Sequence, residues 1–153
     1  GVYPNSAPGG TQGGHLPTVP VSNEDSDETQ GLFPVKHKFV PVTGWIVCVD
    51  GKECGKDYRI KPGINLVGRG DRSDIVIKGD PSISREEHAE IGYDYRENRF
   101  YLIRKKNPDV LLNGESVRAP TRLQAYDVIQ FGQSVFVFIP FCSEKFQWAK
   151  KES

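Results

Sequence analysis

Apolar and polar residues alternate in short runs through the middle of this chain, and each run ends at a turn signal. Ile46-Val47-Cys48-Val49 is closed by Asp50-Gly51, and Asp57 to Ile60 reads as the returning strand. After Pro62-Gly63, Asn65-Leu66-Val67 leads into Gly68-Arg69; Ile75-Val76-Ile77 follows a polar loop and is broken by Gly79-Asp80-Pro81. Ala89 to Tyr93 and Arg99 to Arg104 pair across the polar turn between them. Val110-Leu111-Leu112 runs into Asn113-Gly114, a type I′ hairpin signal, and then Glu115 to Val117. Asp127 to Phe131 and Ser134 to Ile139 are joined by Gly132-Gln133. The last run is apolar on both faces, which predicts a central or doubly covered strand. No stretch has helical period. About ten short strands separated by turns predict an all-β sandwich.

The flanks are different. Residues 1–42 hold six of the eleven prolines, two Gly-Gly pairs and the acidic run Glu24-Asp25-Ser26-Asp27-Glu28, without apolar periodicity. Such a segment buries too little surface to offset its ordering entropy, so it is predicted to be a disordered tail or linker. Within it, Phe33 to Val42 is apolar enough to lie against the domain edge. The domain is expected over 43–141, with a C-terminal tail over 142–153 from which Phe146 and Trp148 can pack back. The charges of the 153-residue chain cancel, but unevenly. Residues 1–35 carry −4 and the remainder +4.

Composition narrows the function. The basic remainder has no clustered Lys/Arg stripe, so nucleic acid is not expected as a partner. No apolar run approaches the about 20 residues of a membrane span, so no membrane partner is expected either. Cys48, Cys54 and Cys142 have no metal-ligand spacing, and an odd number argues against a disulfide scaffold. They read as reduced thiols of a cytoplasmic, monomeric domain that needs neither metal nor cofactor. Methionine is absent, even at position 1, as expected of a piece of a larger protein.

The candidate chemistry lies at strand ends, where a rigid sheet holds polar groups in exposed loops. Gly68-Arg69 follows one apolar strand; Ser84-Arg85 lies 15 residues on. A serine hydroxyl and two guanidinium forks, with no carboxylate of their own, suit a phosphate. Ser84 can also cap the turn Arg85-Glu86-Glu87-His88, aiming backbone N–H groups at an anion. His88 opens a strand and reads as a buried histidine that shapes the Ser84 loop. A Ser84/His88 nucleophile pair would need an orienting acid and an oxyanion hole, which nothing in the sequence locates. No enzyme is expected. Lys105 and Lys106 place positive charge beside Asn107, whose amide can meet a peptide backbone.

In this order, Gly68-Arg69, Ser84-Arg85-Glu86-Glu87-His88 and Asn113-Gly114 resemble the forkhead-associated (FHA) domain family, whose pattern is Gly-Arg, Ser-Arg-x-His and Asn-Gly. Asp74-Ile75-Val76-Ile77 and Asp127-Val128-Ile129-Gln130-Phe131-Gly132 fit as well, and the resemblance covers about Gly44 to Phe141. It implies an FHA-like sandwich of eleven strands that binds phosphothreonine peptides in kinase-dependent signalling. It implies that Arg69, Ser84, Arg85, Lys106, Asn107 and Asn113 contact the phosphopeptide, and that Gly68, His88 and Gly114 support the site. A phosphate-independent scaffold is the alternative. Two departures each look like a one-residue loop insertion: three residues separate Ser84 from His88, and Asn107-Pro108-Asp109 lies six residues before Asn113. Thr29 follows the acidic run and has Leu32 three residues on, a position FHA-like domains often read. It is a candidate phosphosite, and the chain's own phosphorylated tail a candidate ligand.

Overall fold

The computed structural model describes residues 38–106 and 109–148, and among these it contains eleven strands and no helix. In chain order they are β1 (Gly44–Asp50), β2 (Asp57–Ile60), β3 (Gly63–Gly68), β4 (Ile75–Val76), β5 (Ala89–Asp94), β6 (Arg99–Arg104), β7 (Val110–Leu112), β8 (Glu115–Ser116), β9 (Thr121–Leu123), β10 (Val128–Phe131) and β11 (Ser134–Pro140). They form two sheets, ordered β2-β1-β11-β10-β7-β8 and β4-β3-β5-β6-β9. All pairings are antiparallel except β3 with β4.

Period-2 alternation sends one face of each strand inward. β1 buries Ile46 and Cys48, β11 buries Phe136 and Phe138, and β10 buries Ile129 and Phe131. Val67, Ile91, Tyr93, Phe100 and Leu102 meet them from the second sheet. An edge-on ring pair links the layers, Phe100–Phe138 with centroids 4.8 Å apart, and within the second sheet Phe100 also meets its cross-strand neighbour Tyr93, tilted, at 4.8 Å. β11 is central, hydrogen-bonded to β1 and β10.

Three features differ from the sequence-based reading or sharpen it. β9 has one apolar residue in three, so it shows no period, yet it pairs with β6 as an edge strand. Residues 142–148, read as the start of a tail, close one end of the sandwich. Cys142 N donates to Thr43 O at 2.8 Å, the Trp148 indole donates to Val42 O at 2.8 Å, and Phe146 is buried against Phe141 and Trp148. Cys48, Cys54 and Cys142 are free thiols. Of the segment predicted to be disordered, residues 1–37 lie outside the described residues, as do Thr29 and Asn107.

Candidate functional site

The end of β3 builds the site by pairing with a loop instead of a strand. Regular pairing with β5 stops at Val67↔Ala89. Beyond it, Arg69 N donates to Ser84 O at 2.9 Å and Gly70 N to Arg85 O at 2.8 Å, while His88 N returns to Val67 O at 2.8 Å. The two backbones lie so close that a Cβ on Gly68 would sit 2.6 Å from Ser73 Oγ and 2.7 Å from Arg85 O. Gly68 is required by this close approach; its φ is not in the left-handed region.

Arg69 is half-buried in this double layer. Its Nε donates to Ile83 O at 2.7 Å, which fixes the side chain beside the residue before Ser84. Among the described residues no carboxylate lies within ion-pair distance of its guanidinium. A fixed, partly desolvated cation with two uncommitted terminal NH2 groups is built to receive an anion.

His88 is fully buried, edge-on to Phe131. Its Nδ1 accepts from Ser84 N at 2.8 Å, so the ring proton sits on Nε2, 3.1 Å from Asp109 O. Both nitrogens are taken by backbone groups. His88 therefore ties the Ser84 loop to Asp109, the residue before β7. Of the three residues between Ser84 and His88, Glu87 turns left-handed at φ 54°. Ser84 N reaches the ring across it.

Burial holds the His88 pKa below its ordinary 6.5. In the unfolded chain the ring takes a proton as pH falls below 6.5, while the folded ring resists. The stability it contributes is thus complete above pH 6.5 and is lost as pH falls from there to the folded ring's own pKa. Denaturant midpoints measured from about pH 7.5 down to about pH 5 should decline, with a slope that His88→Gln flattens. An equal slope in the variant would assign the effect to other groups.

The remaining candidates divide. Arg85 is exposed on the Ser84 loop and, with Arg72 and Gly70, lines a cleft of about 380 Å³ that also presents Asp71 and Glu86. The Asp71 carboxylate is engaged by Lys78 Nζ at 2.8 Å. Lys106 is exposed just beyond β6, whereas Lys105 is tied to Glu90 at 2.9 Å. Asn113 is not brought to this loop. It lies at the opposite end of β7 from Asp109, about 13 Å of strand away. Its amide donates to Asp127 Oδ1 at 3.1 Å and accepts from Val128 N at 2.9 Å. Positive φ at Asn113 and Gly114 (51° and 87°) makes the pair the hairpin turn that their identities predict, and the Asn113 amide is engaged within that turn.

Asp80 escaped the sequence reading, in which Gly79-Asp80-Pro81 was only a strand breaker. It is buried, and its carboxylate accepts from Ser82 N at 2.9 Å, Gln133 N at 3.1 Å and Ser134 Oγ at 2.6 Å. Burial pushes its pKa up, but these hydrogen bonds outweigh it and hold the carboxyl below its ordinary value. Asp80 thereby pins the loop leading to Ile83 and Ser84 onto the β10–β11 hairpin. Asp with Ser two residues later is an Asx-turn signature, the one signal that could have found it.

Residues 65–132 match the FHA domain family. No curated protein sequence matches the chain. Similar solved structures include one from a study of phosphothreonine-dependent FHA domain interactions, 26% identical with a TM-score of 0.55 over 63% of this chain and 95% of that one. The FHA domain of FhaA, complexed with an intracellular domain of another protein, is 26% identical with a TM-score of 0.54 over 63% and 99%. The FHA domain of an Arabidopsis thaliana hypothetical protein is 25% identical with a TM-score of 0.57 over 74% and 92%.

Proposed function

We propose that this chain, which carries an FHA domain, is a phosphothreonine-peptide-binding interaction module that serves kinase-dependent signalling within a larger protein. One observation carries the reading: Arg69 is half-buried, fixed through Nε to Ile83 O, and has no carboxylate partner among the described residues. A phosphothreonine brings about −1.5 to −2 charges at neutral pH. The Arg69 fork takes the phosphate, the adjacent Ser84 hydroxyl donates to it, and Arg85 and Lys106 add positive potential. Asn107 bonds the peptide main chain. The study that yielded one similar structure, 26% identical, concerned phosphothreonine-dependent interactions, which supports the same chemistry here. Burying the threonine methyl is worth about 0.8 kcal/mol, roughly a four-fold preference over phosphoserine.

Titrating the full chain with a phosphothreonine peptide and its dephosphorylated twin tests this. Two charge-assisted contacts at about 1.5–3 kcal/mol each predict that the twin binds at least about a hundred-fold more weakly. Equal binding would instead favour a phosphate-independent scaffold.

Thr29 extends the reading to the chain's own tail. The described chain starts at Lys38, nine residues after Thr29, and nine extended residues span about 30 Å. A phosphorylated Thr29, tethered to the same chain, competes at high effective concentration. Phosphorylating Thr29 should weaken binding of an external phosphopeptide more than about ten-fold; undiminished binding overturns self-occupancy.

A further inference from the structure

The outer face of the second sheet carries an aromatic groove unrelated to the phosphate loops. Its floor is Gly92 of β5, between β3 and β6, where a Cβ would stand 3.3 Å from Ile64 Cδ1. Ile64, Tyr95, Tyr101, Ile103 and Pro120 line the walls, enclosing about 360 Å³. Ile64 is 51% exposed, although a side chain of its size is ordinarily covered. Arg96 stands at the rim with its guanidinium 5.9 Å from the Tyr95 ring, beside Asp94. Arg122, exposed, sits next to Tyr101 in the sheet register. Glu97 is engaged by the Tyr101 hydroxyl at 2.9 Å.

Tyrosines and a proline around a shallow apolar floor are the surface that receives polyproline II segments. The chain has such a segment: Leu16-Pro17-Thr18-Val19-Pro20-Val21, with prolines at the P-x-x-P spacing. We propose that this groove docks the chain's own Leu16–Val21 segment as a polyproline II helix.

Two further observations point to this occupant. The first is position. Trp148 Nε1 donates to Val42 O at 2.8 Å, and the neighbouring Gln147 Nε2 donates to Tyr95 O at 3.2 Å. The N-terminal segment thus enters the domain beside the groove. Sixteen residues, Ser22 to His37, separate that segment from the first described residue, and sixteen extended residues can span about 50 Å, longer than the sandwich is wide. The second is charge. The acidic run Glu24-Asp25-Ser26-Asp27-Glu28 begins three residues after Val21, and the groove's rim carries Arg96, with Arg122 one strand beyond Tyr101. The docking needs no phosphate and is independent of the Arg69 site.

The test uses the full 153-residue chain. Cys54 is the exposed thiol, while Cys48 and Cys142 are buried, so a nitroxide on Ser22→Cys in a Cys54→Ser background labels the tail selectively. Docking predicts selective loss of the Ile64, Gly92 and Tyr101 amide NMR signals, independent of protein concentration. The signals should return in Pro17→Ala/Pro20→Ala. They should also return in Gly92→Val, which fills the floor, and high salt should weaken the effect. Broadening spread evenly, centred on residues 69–70 and 84–87, or growing with concentration as docking onto a second copy would, overturns the proposal. So does broadening that survives both variants.

Discussion

Arg69→Ala is expected to abolish phosphothreonine-peptide binding while leaving the sandwich folded. The guanidinium is the only side chain that is both fixed in the double backbone layer and free at its terminal nitrogens among the described residues of that layer. Removing it costs the forked contact to phosphate, about 3–4 kcal/mol, or two to three orders of magnitude in Kd. The fold loses much less. The Nε bond to Ile83 O is one half-exposed hydrogen bond worth about 1 kcal/mol, and Ser84 O and Arg85 O keep their bonds to the backbone. Arg69→Lys should recover part of the affinity, because an ammonium supplies charge but cannot hold Ile83 O and grip a phosphate together. Calorimetric titration beside a thermal melt separates the two effects. Parent-like binding by a folded Arg69→Ala protein would place the site elsewhere.

What was readable in advance follows the reach of local physics. Strands with a buried face repeat every second residue, so β1, β5, β6, β10 and β11 are plain in the sequence. β9 is not, because Thr121 and Arg122 are polar and only Leu123 turns inward; its existence depends on pairing with β6, a long-range fact. Cys142, Phe146 and Trp148 show no period either, and only the meeting of the chain's two ends reveals what they cover. The Gly68-Arg69 and Ser84 segments are legible because their residue types answer local demands of close approach, charge and turn. Asp80 is not, because its donors Gln133 and Ser134 lie more than fifty residues away. Asn113 carried two readings, turn residue and peptide contact, and its bonds to Asp127 and Val128 show how it serves the first. The left-handed residue Glu87 lies between Ser84 and His88, and the Ser84 N to His88 Nδ1 anchor closes across it.

Gly68→Ala should damage both stability and binding, although the backbone at Gly68 suits any residue. The added methyl would meet Arg85 O at 2.7 Å and Ser84 O at 3.2 Å, both backbone atoms that cannot rotate away. Relief requires the Ser84 loop to shift off β3, which stretches the bonds from Arg69 N and Gly70 N. Overpacking of this kind costs roughly 1–3 kcal/mol, or about 10 °C in Tm for a domain of this size. Binding should fall more than ten-fold as well, because the shift parts the Ser84 hydroxyl from Arg69. Gly114→Ala supplies the contrast. There a Cβ meets nothing within 4 Å, but φ is +87°, so the cost is local backbone strain of about 1 kcal/mol with phosphopeptide affinity unchanged. Should Gly68→Ala melt and bind like the parent, the contact between the β3 end and the Ser84 loop is not what demands glycine, and the pocket is not held together by it.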